Sequence, residues 1–187
     1  RVLAMEVERG GVVVDRLLEF ELEGAFTFTA ADGRSRTLTL RGKVDRIDLL
    51  NDGTFHLIDY KTRAVPDTRR ALQLPIYSVC VEQRLAGYRG RHWTLGAASY
   101  LSYEGTDALV PLTKKPADLP ARVAEAQGQL LDVLDGIGAG HFPPKPAERS
   151  LCNYCAYASV CRKDYVSDEP VLADAADAPA NGEVAGD

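Results

Sequence analysis

The chain has 187 residues, is 45% hydrophobic and 26% charged, and carries a net charge of −5. That is room for one domain with a real core, in a composition typical of a globular protein rather than a disordered or collagenous one. No apolar run is long enough to cross a membrane, no secretory signal opens the chain, and its four cysteines lack the secretory context of a disulfide framework, so a cytoplasmic setting is expected.

Residues 1–9 read as the last turns of a helix stopped by Gly10-Gly11, and the Arg at position 1 reads as the start of a piece of something larger. From Phe20 the pattern becomes strand-like, with Phe20, Leu22, Phe26 and Phe28 alternating against polar or small residues. Ala31-Asp32-Gly33-Arg34 is a hairpin turn, Arg36 to Leu49 the next strand, Asn51-Asp52-Gly53 a second turn, and Thr54 to Lys61 a third strand. These make a three-stranded meander. Thr62 to Asp67 is a loop, and Arg69 to Leu85 a helix with Leu72, Ile76, Val79 and Cys80 on its apolar face. Within it Gln73 and Tyr77 share one side at i, i+4. His92 to Tyr103 follows as a strand, with Trp93, Leu95 and Ala97 on one face and Thr94, Gly96 and Ala98 on the other. Ala108 to Leu112 is a short strand and Leu119 to Ile137 an amphipathic helix. Gly138 to Pro146 is irregular, three cysteines crowd into Cys152–Cys161, and residues 167–187 read as a disordered acidic tail.

The tail hides the charge of the rest. Residues 164–187 hold seven of the 27 acids and no Lys or Arg, leaving 22 basic against 20 acidic residues elsewhere. Arg34, Arg36, Arg41, Lys43 and Arg46 gather around the second strand, and Arg63, Arg69 and Arg70 follow the third. Such local basicity suits a polyanion, and equally a mixed solvated surface.

The chemistry concentrates between Gly42 and Thr62. Along the third strand Phe55, Leu57, Asp59 and Lys61 share one face, and His56, Ile58 and Tyr60 the other. A hairpin can bring Asp45, fourteen residues before Asp59, alongside it. Two carboxylates and an ammonium at the end of an apolar strand pair are costly to bury without a role. A hard divalent cation held by the two Asp, with Lys61 near its water or a phosphate, accounts for them; the competing account is a structural ion-pair network. Asp48 reads as a support for the turn or a partner of Arg46. His56 reads as a surface or core residue rather than a ligand, His92 as a packing residue, Trp93 as core ahead of a base-stacking surface, and Cys80 as a small buried hydrophobe ahead of a metal ligand.

The ordered set Gly42-Lys43-Val44-Asp45-Arg46-Ile47-Asp48, Ile58-Asp59-Tyr60-Lys61-Thr62 and Gln73-Leu74-Pro75-Ile76-Tyr77 resembles the RecB/AddB branch of the PD-(D/E)XK nuclease superfamily. Cys152-x2-Cys155-x5-Cys161-Arg162 resembles the C-terminal cysteines of that branch, and AMEVERGG before LLEFELEG the segment that precedes such domains. The resemblance runs from about Glu6 to Arg162. It implies an α/β, restriction-endonuclease-like fold, a mixed central sheet flanked by helices, over residues 1–166 with the Cys segment at 150–163.

It also implies a Mg²⁺- or Mn²⁺-dependent deoxyribonuclease, an exonuclease acting on single-stranded or unwound DNA ends. Such a module serves a helicase–nuclease in repair or recombination, beside a helicase domain or subunit and away from any membrane. Asp45 and Asp59 would ligate the metal with the backbone carbonyl of Tyr60. Lys61 would orient the attacking water and offset phosphate charge, and Gln73 and Tyr77 would position the site and the DNA backbone. Relatives carry a further His or Glu on an upstream helix. The 44 residues before Asp45 contain no His, Glu6 matches another part of the pattern, and weak activity of the isolated chain is therefore expected.

For Cys152, Cys155 and Cys161 the resemblance implies a 4Fe-4S cluster completed by an upstream fourth cysteine, acting as a structural staple. Structural Zn²⁺ with His141, or no metal, are the other readings. Two rival functions stand beside the nuclease: a non-catalytic DNA-binding or scaffolding module that keeps the fold, and a small interaction module built on the cysteines.

Overall fold

A computed structural model describes residues 11–62, 64–103, 108–141 and 149–161. The expected N-terminal helix end, the turn at 104–107, most of the Gly/Pro-rich stretch and the acidic tail lie outside them. The chain divides into two compact units between Asp135 and Gly136.

In the first unit the order is β1 (Val13–Thr29), β2 (Ser35–Leu50), β3 (Thr54–Lys61), α1 (Gln73–Arg84), β4 (Thr94–Ser102), β5 (Leu109–Pro111) and α2 (Leu119–Gly138), whose last turn passes the boundary. One sheet runs β1-β2-β3-β4-β5. Its pairs are antiparallel except β3 with β4, which are parallel and joined through α1. This is the mixed α/β sheet of the restriction-endonuclease-like fold. Both turns of the meander form as expected. At the second, Gly53 takes φ +87°, and Asp52 Oδ1 accepts Thr54 N–H at 2.9 Å and its hydroxyl at 2.7 Å, fixing a hairpin that leads into β3.

The core lies on one face of the sheet. Phe26 and Phe28 of β1, Ile47 and Leu49 of β2, and Phe55 and Leu57 of β3 meet Leu74, Cys80 and Val81 of α1 and Leu119, Ala126 and Leu131 of α2. Burying a side chain of this size stabilises by about 1.5–3 kcal/mol, so this layer supplies most of the driving force. The opposite face is also buried along β2 to β4, where a polar cluster lies beside Ile58 and Leu101. Asp48 receives Arg46 at 2.6 and 2.9 Å and Arg16 at 2.7 Å, while His56 Nε2 and Ser99 Oγ are 2.9 Å apart. Asp48 is thus a buried ion-pair centre on the face away from α1, and His56 is a core residue. Burial would raise the Asp48 carboxyl, but hydrogen bonds and charge from Arg46 and Arg16 outweigh it and hold it below its usual value.

Four expectations shift. First, β1 begins at Val13 rather than Phe20. Its alternation inverts at Glu19, which has φ +50°, so Leu17 and Phe20 both join the core while Leu18 and Glu19 are exposed. A single-parity reading therefore misses its first half. Second, α1 starts four residues later than expected. Asp67 draws the chain into a turn, with Arg69 N–H on Oδ1 at 3.1 Å and Arg70 and Ala71 N–H on its carbonyl at 3.0 and 2.9 Å. Pro75 then falls at the third helical position, where its missing N–H has no intrahelical partner to lose. Third, β4 slips register opposite Phe55/His56. Gly96 sits at this slip, where a Cβ would come within 2.8 Å of the Thr54 side chain. Trp93 and Leu95 consequently share the core face with Ala98 and Tyr100, not with Ala97. Fourth, His92 is exposed before β4, not packed.

Beyond the core, side chains of both helices reach the edge strand β1. Gln83 of α1 accepts Thr27 N–H at 2.9 Å and donates to its carbonyl at 2.7 Å, and Gln127 of α2 accepts Thr29 N–H at 2.9 Å.

Candidate active site

The site forms where β2 leaves β3. Their pairing runs from Leu49/Phe55 to Arg46/Ile58 and then stops. One residue on, Asp45 turns its carboxylate into the gap, and Tyr60 N–H donates to Asp45 Oδ2 at 2.7 Å. A side chain thus takes the place of the next ladder bond, and the two strands can part without leaving that donor unpaired. The same position is where β2 changes the face it presents, since Val44 and Ile47 both enter the core. Glu19, at the inversion in β1, lies across from Asp45 between the pairs Leu18/Arg46 and Phe20/Val44 and forms an ion pair with Lys43.

Asp59 is on the α1 side of β3, as its alternation with Phe55 and Leu57 requires, and is buried. Lys61 Nζ lies 2.6 Å from Asp59 Oδ2, an ion pair that is this buried oxygen's one contact with a donor among the described residues. Burial raises the Asp59 carboxyl, Lys61 pulls it back, and the Asp45 charge adds to the rise, so the net value stands above the usual carboxylate range. Lys61 also donates to Gln73 Oε1 at 3.1 Å, from the first residue of α1, and its ammonium sits 5.5 Å from the centre of the Tyr100 ring. Asp59 and Tyr100 are paired in register across β3 and β4.

Of the sequence-predicted residues, Asp45, Asp59, Lys61 and Gln73 therefore meet at one end of β3. Tyr77, one turn further along α1, instead touches β2, where a Cβ on Gly42 would lie 2.7 Å from its hydroxyl oxygen. The Tyr60 ring stacks in a tilted pair with Tyr103 at 6.3 Å. Tyr100 was not singled out from the sequence. It is fully buried, its hydroxyl has no hydrogen-bond partner, and burial with the Asp59 charge pushes that hydroxyl up to about 12. An aromatic residue in a strand carries no sequence signal that separates such a role from ordinary packing.

Among the described residues no three His, Cys, Asp or Glu side chains gather into a group able to hold a metal. The donors beside Lys61 nonetheless suit a small divalent cation. They are the carboxylates of Asp45 and Asp59, hard oxygen donors of the kind such a cation takes.

The second unit holds the cysteine segment. Cys152, Cys155 and Cys161 are free thiols, and the backbone turns there through Cys155 N–H on Cys152 O and Cys161 N–H on Tyr157 O. Among the described residues the three thiols do not gather into a ligand group. Cys80, in α1, is buried, as expected.

No helix among the described residues is long and apolar enough to cross a membrane. No curated protein matches the chain. Among solved structures, the "Crystal structure of SSO0001" is similar at 17% identity with a TM-score of 0.33, over 85% of this chain and 66% of that one, just under two thirds of its length. The sequence profile of the PD-(D/E)XK nuclease superfamily matches residues 3–162, a span that contains all four residues gathered at the end of β3. On that match and the sheet that carries it, the chain belongs to the PD-(D/E)XK nuclease superfamily.

Proposed function

We propose that the chain is a divalent-metal-dependent deoxyribonuclease whose site is Asp45, Asp59, Lys61 and Gln73. The observation that carries the reading is Asp59. Its carboxylate is buried, is paired with Lys61 alone among the described residues, and lies near enough to Asp45 to be raised by its charge. As a purely structural ion pair this is a poor arrangement, since desolvation exceeds what Lys61 returns.

Asp45 and Asp59, with the Tyr60 carbonyl, would hold the cation. Bound there, it would lower the pKa of a water and supply positive charge at the scissile phosphate. Asp45 is held for this by Tyr60 N–H, which engages Oδ2 and leaves Oδ1 for a ligand. Lys61 presents a point charge suited to a phosphate oxygen. Its direction is set from three sides, by Asp59, Gln73 and the Tyr100 ring. Exonuclease action on single-stranded or unwound DNA ends, and service beside a helicase in repair or recombination, rest on the sequence resemblance. A 4Fe-4S cluster on Cys152, Cys155 and Cys161 rests likewise on the sequence resemblance; anaerobic reconstitution that yields no charge-transfer absorption would remove it.

The test is cleavage of labelled single- and double-stranded DNA with Mn²⁺ or Mg²⁺ by the chain and by its Lys61→Ala variant. Removing the ammonium is expected to lower the rate by about 10²-fold or more while DNA binding persists. A wild-type chain that binds DNA and cuts none under either metal would overturn the reading in favour of a scaffold that keeps the fold.

A further inference from the structure

We infer that Arg122 is a positioning residue for the Lys61–Gln73 pair, acting through the turn that precedes α1; the inference rests on the nuclease reading of that pair. Arg122 lies in the second turn of α2, remote in sequence from the site, and is only 8% exposed. Its guanidinium donates to two carbonyls of one turn, Nε to Thr68 O at 3.3 Å and Nη2 to Ala71 O at 2.9 Å. The remaining nitrogen, Nη1, is buried with no hydrogen bond and has only the exposed Glu125 carboxylate at 3.6 Å. Burying a cation with one nitrogen unsatisfied is costly, and an aliphatic side chain would fill the space without that cost. What an aliphatic residue cannot do is bridge two carbonyls, which needs the planar fork of arginine.

Those carbonyls belong to the segment that starts α1. The helix has no side-chain N-cap hydrogen bond at Leu72 and no acidic residue in its first turn, so little within it fixes where it begins. Asp67 makes the turn locally, through Arg69 N–H and the N–H groups of Arg70 and Ala71. Arg122 fastens that turn to α2. The next residues are Leu72 and then Gln73, whose Oε1 receives Lys61 Nζ. A continuous series of contacts therefore runs from Arg122 through Thr68–Ala71 and the start of α1 to Gln73 and Lys61. Without the guanidinium the turn is free to move, Gln73 shifts with it, and Lys61 keeps only Asp59 and the Tyr100 ring.

The test uses the full chain with Arg122→Gln, Arg122→Lys, Gln73→Ala and the Arg122→Gln/Gln73→Ala double variant, with folding checked by circular dichroism. Amide exchange over residues 66–77 is expected to speed up about tenfold or more in Arg122→Gln, and less in Arg122→Lys, which can reach one carbonyl but not both. In Mn²⁺-dependent DNA cleavage, kcat is expected to fall about tenfold with KM changed less than about twofold. The double variant should be no slower than Gln73→Ala alone, because both act through one contact. Unchanged exchange across 66–77, or a kcat loss that adds in full to that of Gln73→Ala, would overturn the inference. Should Arg122→Gln not fold, the same comparisons are read on Arg122→Lys. If the wild-type chain cuts no DNA, the nuclease reading falls on that result, while the exchange comparison still decides whether Arg122 holds the turn.

Discussion

Asp59 is a charge held where burial opposes it, and that makes it separable from the residues that only hold the fold together. Neutralising it should help the metal-free protein and harm its chemistry. Asp59→Asn is expected to raise Tm without metal and to abolish Mn²⁺ binding by calorimetry; an unchanged or lowered Tm would count against the raised carboxyl. Cys80 is a second residue with a single consequence. Burial pushes its thiol up to about 12, so alkylation of the native, reduced chain should reach Cys152, Cys155 and Cys161 and spare Cys80 until the protein unfolds, as mass spectrometry would show. At this scale the D-x-K spacing and its partner Asp45 were legible because a strand's alternation fixes which side chains share a face. Tyr100 and Arg122 were not. One is an aromatic in a strand and the other an arginine on a helix, and only tertiary contact distinguishes either from its commonest use.

Between elements, one side chain of α1 reaches β2 through a contact that a glycine permits. Gly42 leaves room for the Tyr77 hydroxyl, so Gly42→Ala must push the ring aside at a cost of about 1–3 kcal/mol in urea unfolding. Tyr77→Ala should remove most of that penalty when the two are combined, and full additivity would show that the ring and Gly42 are not in contact. The spans of β2 and β3, the turns between them and the body of α1 were readable from local pattern. The inversion at Glu19, the parting of β2 and β3 at Asp45 and the slip at Gly96 were not. Each is a relation between two strands, and a single strand's alternation holds no record of what its neighbour does. The beginning of α1 was misplaced for a related reason, since Asp67 competes for the backbone groups that helix propensity would otherwise claim.

For the molecule as a whole, stability against acid should be governed from the face of the sheet away from α1. The Asp48 carboxyl is held below the value near 3.9 that it takes in an unfolded chain. Its contribution is therefore complete above about pH 4 and is lost as pH falls through the folded value. Asp48→Asn is expected to cost about 3 kcal/mol at neutral pH and to flatten the loss of stability between about pH 5 and pH 2. A variant that keeps the wild-type slope in urea titrations across that range would place the acid sensitivity elsewhere.

Gln83 and Gln127 have a consequence for what the molecule must avoid in solution. β1 is an edge strand, and such an edge is a template on which a strand from another chain can lengthen the sheet into an aggregate. A carboxamide carries one donor and one acceptor type in a plane, as a peptide group does. By engaging Thr27 at both groups and Thr29 at its N–H, the two glutamines imitate the first rungs of a sixth strand and close that end of the edge to recruitment. The helix that carries Gln73 to Lys61 thus also guards the sheet, at its opposite end, against joining its own kind.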